Sequence, residues 1–195
     1  MTAVLRAPSG ATLAALPVDR WRRPPDAVEQ ALLRSVPDPV LDIGCGPGRI
    51  VGALTDAGRP ALGVDSSPAA ADEAGRTGAA VLCRSVFEPL PGERRWGAAL
   101  LLDGNVGIGG DPTTLLRRVH DLLRTGGHAV VEVEPPGAPT VVDTVRVEHG
   151  TTTGPWFPWA LVGADAVESI LVDAGLLPVG FDTGDGRWFA RAVRP

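Results

Sequence analysis

The sequence predicts a three-layer α/β protein in which helices cover both faces of a mostly parallel β-sheet. Short apolar runs alternate with amphipathic segments along most of the chain, which is the pattern of strand–helix repeats around a parallel sheet. The run Gly97–Leu102 is apolar throughout, as expected for a strand covered on both faces. Two strand-like runs flank the tight turn Gly184–Gly186, so one strand near the C-terminus must run antiparallel to its neighbours.

The helices and strands can be placed individually. Asp26 and Glu29 have the spacing of a capping box, Ser67 precedes a proline at a helix start, and Asp111 precedes Pro112 in the same way. The predicted helices cover approximately residues 26–36, 49–57, 68–76, 112–124 and 164–174. The predicted strands cover residues 39–44, 60–65, 79–85, 97–104, 128–134, 176–183 and 186–193.

A chain of 195 residues has the size of one domain, so we predict a single domain over residues 1–195. Residues 1–25 contain interrupted apolar runs and are interpreted as an irregular N-terminal arm. Residues 135–163 are too long for an ordinary connection, and we expect them to form a lid or a wall of the substrate site. Within them, residues 142–150 alternate sufficiently to form one strand.

The composition argues against several classes of partner. The chain carries a net charge of −5 and all 18 basic residues are arginine, so no general basic surface for nucleic acid is expected. No apolar run is long enough to cross a bilayer, and the N-terminus lacks the order of a secretion signal, so we expect a cytoplasmic protein. Cys45 and Cys83 have no partners at the spacing of a zinc site, and no metal site is predicted.

A glycine-rich loop stands between the first predicted sheet strand and its helix. Gly44, Gly46 and Gly48 would let the backbone approach a ligand without interference from Cβ atoms, and the helix that follows offers free N–H groups to an anionic group. Asp65, at the end of the next strand and about 20 residues further on, has the position of an acid that accepts the hydroxyls of a ribose. The loop and the acid together predict a site for a nucleoside-containing ligand.

The glycine spacing distinguishes between two such ligands. A dinucleotide fingerprint has its third glycine one place later than Gly48, and that place is occupied by Arg49. The pattern D-x-G-x-G-x-G over Asp42–Gly48 instead resembles motif I of the class I S-adenosylmethionine-dependent methyltransferases. The stretch 115–137, with R-x-G-G before a strand, also resembles that family, and the resemblance extends from about Asp26 to the C-terminus. It implies a Rossmann-like, seven-stranded sheet and S-adenosyl-L-methionine as the cofactor.

The resemblance also implies a set of cofactor-binding residues. Ser85 stands where family members often have an aspartate that bonds the adenine amino group, and the N–H of Val86 would serve the ring nitrogen. The full set implied for the cofactor is Asp42, Gly44, Cys45, Gly46, Gly48, Asp65, Ser66, Ser85, Val86 and Asp103.

Candidate residues for the methyl acceptor lie beyond the fourth strand and in the 135–163 segment. Asp103 and Asn105 either contact cofactor and substrate or only satisfy N–H groups of a turn. Trp156 and Trp159 either stack on a flat acceptor or pack the lid against the sheet. The remaining substrate-binding candidate is Glu134. His149 is the histidine placed best for a general base, so the predicted catalytic residues are Asp103 and His149.

Three functions are compatible with these features. The first is methyl transfer to a small organic acceptor, for which family frequency favours an oxygen or nitrogen atom over carbon. The second is a non-catalytic protein that binds S-adenosylmethionine or S-adenosylhomocysteine and acts in regulation or interaction. The third is an NAD-linked oxidoreductase, which the glycine spacing disfavours. The expected partner is therefore a small molecule, and the sequence does not define the oligomeric state.

Overall fold

A computed structural model describes residues 2–195, which form two β-sheets and six α-helices. The strands are β1 (Ala3–Arg6), β2 (Thr12–Leu16), β3 (Val40–Ile43), β4 (Ala61–Asp65), β5 (Val81–Cys83), β6 (Trp96–Leu101), β7 (Leu123–Val133), β8 (Val141–His149), β9 (Thr152–Thr153), β10 (Phe157–Leu161), β11 (Leu177–Gly184) and β12 (Arg187–Val193). The helices are α1 (Val18–Trp21), α2 (Ala27–Ser35), α3 (Arg49–Asp56), α4 (Pro68–Thr77), α5 (Pro112–Leu122) and α6 (Ala164–Asp173).

The larger sheet has seven strands in the order β11-β12-β7-β6-β3-β4-β5. The pairs β7–β6, β6–β3, β3–β4 and β4–β5 are parallel, whereas β12 is antiparallel to both β7 and β11. Asp185 and Gly186 connect β11 to β12, and both have positive φ values (51° and 75°), as a tight hairpin turn requires. The predicted α/β fold, with its mostly parallel sheet and antiparallel C-terminal strand, is confirmed.

Helices cover both faces of this sheet, because its central strands are apolar on both sides. Every residue of β3 and β6 is buried. Leu32 of α2 and Ile50 of α3 pack on one face, and Leu116 of α5 and Val167 of α6 pack on the other. The helix starts follow the sequence signals, and Asp26 and Glu29 form the predicted capping box on α2. No helix in residues 2–195 is long and apolar enough to span a membrane.

The smaller sheet joins two distant parts of the chain. Its path is β10-β8-β1-β2, with β9 paired to β8, and its pairs are antiparallel. The interpretation of residues 1–25 as an irregular arm was wrong for residues 3–16, which form a hairpin that pairs with β8. The strand predicted at residues 142–150 is present as β8. Strand β10 was missed because it contains Pro158, which is tolerated here because β10 lies at the edge of the sheet.

Candidate active site

The glycine loop connects β3 to α3 and is built for close approach. Gly44, Gly46 and Gly48 all have positive φ values, of 70°, 53° and 81°, which residues with a side chain rarely adopt. A Cβ atom on Gly46 would meet nothing within 4 Å, whereas one on Gly44 would lie 2.6 Å from Nδ2 of Asn105. The backbone at Gly46 is therefore bare and open to a ligand, and the backbone at Gly44 is bare because a side chain packs against it.

Asp65 ends β4 and connects the glycine loop to the start of α4. One carboxylate oxygen accepts a hydrogen bond from the N–H of Gly46 at 2.9 Å, and the other accepts one from the N–H of Ser67 at 2.8 Å. Each oxygen has a second lone pair that these bonds leave unused. The geometry brings the predicted acid and the predicted loop together, with the intervening Ser66 exposed.

A large cleft lies at the carboxyl ends of β3, β4 and β6, where ligands bind in open α/β sheets. It comprises a cavity of about 820 Å³ and a cavity of about 400 Å³, which share Gly44, Asp65, Asp103 and Asn105 in their walls. We call the two together the main cleft. Of the residues predicted from the sequence, eleven line it, namely Asp42, Gly44, Cys45, Gly46, Asp65, Ser66, Ser85, Val86, Asp103, Asn105 and Trp159. Gly48 does not, and it serves instead as the N-cap residue of α3.

The small sheet forms the opposite wall of the main cleft. Leu5 of β1, Leu16 of β2, Val147 of β8 and Trp159 of β10 line the larger of its two cavities. The ring of Trp159 lies over Gly107, where a Cβ atom would come within 2.7 Å of the indole. The cleft is thus enclosed between a polar edge of the large sheet and an apolar wall from the small sheet.

A comparison with protein families identifies the family of this chain. Residues 18–158 match the model of a methyltransferase domain, which is more than half of the chain. The chain belongs to the class I S-adenosylmethionine-dependent methyltransferases. S-adenosylmethionine is accordingly the cofactor. No curated protein sequence matches this methyltransferase significantly.

Solved structures of other methyltransferases share its fold. A methyltransferase from Bacteroides fragilis, in complex with S-adenosyl-L-homocysteine, has a TM-score of 0.83 at 17% identity, over 100% of this chain and 88% of that one. The 1,6-didemethyltoxoflavin-N1-methyltransferase of Burkholderia thailandensis has a TM-score of 0.63 at 24% identity, over 86% and 75% of the two chains. The glycopeptide N-methyltransferase MtfA, with S-adenosyl-L-homocysteine, has a TM-score of 0.64 at 16% identity, over 86% and 88%.

The far side of the methyltransferase cleft contains the residues predicted for the adenine ring. The N–H of Ser85 donates to Glu88 at 3.0 Å, and its hydroxyl accepts from the N–H of Phe87 at 3.3 Å. Val86 is buried, and its carbonyl accepts from Arg118. Within residues 2–195 the N–H of Val86 makes no hydrogen bond, so it can still donate to a ligand.

Asn105 connects the tip of β6 to the glycine loop. Its side-chain amide donates to the carbonyl oxygens of Ile43 at 3.0 Å and Gly44 at 2.8 Å. Both amide hydrogens are therefore engaged in holding the loop, and the carbonyl oxygen of the side chain is the atom left for a ligand.

A buried network of charged residues adjoins the main cleft. The sequence did not predict this network. Arg49, the first residue of α3, donates to both carboxylate oxygens of Glu29 at 2.6 and 2.7 Å and to Asp103 at 2.9 Å. Arg187 of β12 donates to Glu29 at 2.9 Å and to both oxygens of Glu132 at 2.7 and 2.8 Å. We call these five residues the charge network. The capping box identified Glu29, but nothing local in the sequence indicates its pairing with two distant arginines.

Large pKa shifts in this part of the methyltransferase come from the ion pairs of the charge network and from burial. Burial alone would raise the pKa of Glu29, but the hydrogen bonds and positive charge of Arg49 outweigh it, and the pKa is lowered to about 2. Asp42 lies beside the network and forms no ion pair within residues 2–195. Burial raises its pKa to about 7, although the charge of Arg49 opposes the shift. Burial likewise raises the pKa of Cys45, so that its thiol stays protonated.

Asp103 is held rigidly by this network. It has a positive φ of 53°, and its N–H donates to Glu132 at 2.5 Å. Its carboxylate accepts from Arg49 and, at 3.3 Å, from Arg20 on α1. The two guanidinium groups hold the carboxylate of Asp103 in place. These contacts show what positions Asp103, and its catalytic role stays a prediction.

The remaining acceptor-side predictions separate into two groups. Trp159 and Glu134 line a further cavity of about 300 Å³, the side cavity, which also reaches Asp103. Trp156 is exposed, and the guanidinium of Arg146 lies 4.8 Å from its ring centroid. His149 is exposed at the end of β8 and lines none of these cavities. The structure therefore gives no support to His149 as a base or to Trp156 as a substrate contact, because both lie away from the cavities.

Proposed function

We propose that this methyltransferase transfers the methyl group of S-adenosylmethionine to an oxygen or nitrogen atom of a small organic molecule. The observation that supports the proposal is a cleft with two different sides. One side is a polar edge of the large sheet that suits the cofactor, and the other is an apolar wall from the small sheet. Gly46 and Asp65 lie on the edge, Trp159 lies on the wall, and the cavities between them have the size of small-molecule sites. Two of the similar structures are named as methyltransferases of a toxoflavin precursor and of a glycopeptide, which supports a small acceptor.

The residues present fit the cofactor. The open position at Gly46 leaves room for the amino acid end, the unused lone pairs of Asp65 suit the ribose hydroxyls, and the N–H of Val86 suits an adenine ring nitrogen. Asp42, Gly44 and Cys45 line the part of the main cleft next to the glycine loop. Ser66 and Ser85 line the part that would hold the nucleoside. Bound there, the cofactor supplies an electrophilic methyl group.

The protein contributes alignment and exclusion of water. Trp159 and Phe157 form an edge-to-face pair, with ring centroids 5.9 Å apart, and both line the larger cavity of the main cleft. Residues 135–163 supply part of the wall of the substrate site. We assign residues 1–195 to a single domain. Asp103 and Asn105 act as positioning residues, since the first is bound by arginines and the second holds the glycine loop. No side chain is assigned as a general base.

Two measurements test this function. Titration calorimetry with S-adenosylmethionine, S-adenosylhomocysteine and NAD is expected to show binding of the two sulfur compounds only. A screen of small-molecule metabolite pools is then expected to release S-adenosylhomocysteine in an acceptor-dependent reaction. Binding of NAD alone would contradict the cofactor. Tight binding of the sulfur compounds without turnover in any pool would support a non-catalytic binding protein instead.

A further inference from the structure

The side cavity has a distinct wall for an acceptor. It shares Asp103 and Trp159 with the main cleft, so a molecule bound there lies next to the cofactor position. Leu16, Val106 and Leu161 form apolar parts of the wall beside the indole of Trp159. Such a surface buries a flat, apolar body and leaves its polar substituent to face the charged part of the cavity.

The charged part of the side cavity contains more carboxylates than guanidinium groups. Its acids are Asp103, Glu132 and Glu134, and its bases are Arg20 and Arg187. The side chain of Arg187 is 8% exposed, and it donates hydrogen bonds to the carboxylates of Asp26, Glu29 and Glu132. Arg20 donates one hydrogen bond, to Asp103 at 3.3 Å, and its side chain is 38% exposed. With three carboxylates and two guanidinium groups, this wall has an excess of negative charge, which favours a positively charged ligand.

Glu134 is the acid that can meet such a ligand directly. Its backbone is fixed, because its N–H donates to Val162 at 2.8 Å and its carbonyl accepts from the N–H of Ala164 at 2.9 Å. Within residues 2–195, its carboxylate forms neither a hydrogen bond nor an ion pair, although those of Asp103 and Glu132 form both. The main chain of Glu134 is thus fixed at the cavity wall, and its carboxylate is available to a partner.

From these contacts, and resting on the proposed function, we infer that the acceptor is a small, flat molecule with an amine. The amine, positively charged at neutral pH, binds the carboxylate of Glu134, and the apolar body lies against Trp159. Glu134 is then the residue that determines specificity for the charge of the acceptor. A carboxylate in the same place would be repelled by the carboxylate of Glu134, which has no partner of its own within residues 2–195.

Matched probes that differ only in charge test this inference. Tryptamine, indole-3-ethanol and indole-3-acetate carry charges of +1, 0 and −1 on one ring system, and phenethylamine, 2-phenylethanol and phenylacetate form a second set. Each is titrated into the protein saturated with S-adenosylhomocysteine. The amines are expected to bind at least about tenfold more tightly than the acids, as one charged hydrogen bond provides.

The variant Glu134→Gln is expected to weaken amine binding about tenfold while changing the affinity for the neutral alcohols by less than about twofold. Glu168→Gln, an exposed acid on α6, is the matched control and is expected to change neither. Preference for the acids, equal or absent responses to all six probes, or an amine preference that survives in Glu134→Gln would overturn the inference. Failure of S-adenosylhomocysteine itself to bind would instead refute the proposed function, so the two failures are distinguishable.

Discussion

Removing Arg49 should destabilise the methyltransferase by about 3 kcal/mol. In Arg49→Met, the side chain that bonds Glu29 and Asp103 is lost from a site in which it is 7% exposed and Glu29 is 0% exposed. Breaking a buried pair costs about 3–5 kcal/mol, and we expect the lower figure because Glu29 retains Arg187. The lowering of the pKa of Glu29 from 4.5 to about 2 corresponds to about 3 kcal/mol for all of its partners together, with Arg187 and the N–H of Asp26 included.

The assay is urea denaturation followed by circular dichroism, with a double-mutant cycle of Arg49→Met and Glu29→Gln. The double variant should lose less free energy of unfolding than the sum of the single variants, because no unpaired buried charge remains at this pair. The stabilisation from Glu29 should be complete above pH 4.5 and decrease as the pH falls towards 2, since its pKa is lowered on folding. Arg22→Met removes an exposed ion pair with Glu73 and is the control, with an expected cost below about 1 kcal/mol. Equal costs for Arg49→Met and Arg22→Met, or additive single variants, would refute this reasoning.

Three further predictions concern the main cleft. Asp65→Ala should weaken binding of S-adenosylhomocysteine by on the order of 1–3 kcal/mol in calorimetry, while Asp72→Ala, on the exposed side of α4, should not; equal affinities would remove the ribose assignment. Gly46→Ala should cost about 1–2 kcal/mol of stability because its φ is positive, and should also reduce cofactor binding, whereas Gly52→Ala in the interior of α3 should be neutral or stabilising by up to about 1 kcal/mol. Because folding raises the pKa of Asp42 from 3.8 to about 7, its protonated form favours the native state at low pH, and that contribution should be lost as the pH rises through 7; Asp42→Asn should remove this decline, measured as the free energy of unfolding from pH 5 to 7.5.

The large sheet was predictable because its signals are local. Each parallel strand is a short apolar run bounded by a turn or a capping residue, and the Asp185–Gly186 turn fixes the direction of β12 relative to β11. The approach of Asp65 to Gly46 follows from the same regularity, since the carboxyl ends of β3 and β4 lie side by side in a parallel pair.

The small sheet and the charge network were not predictable from local signals. Strand β1 pairs with β8 across a long stretch of sequence, and Arg187 reaches Glu29 across 158 positions. No periodicity within either segment reports such a pairing. The aromatic residues of the insertion illustrate the same limit. Residues two apart on a strand share a face, so Phe157 and Trp159 both reach the cleft, whereas Trp156 stacks outside on Arg146.

In the proposed function, the large sheet holds the cofactor and the small sheet contacts the acceptor. The hairpin β1–β2 and the strands β8 and β10 form much of the apolar wall of the proposed acceptor site, yet none of these strands pairs with the seven-stranded sheet. Substitutions in the small sheet can change the shape of the proposed acceptor site while Gly46 and Asp65 keep their positions.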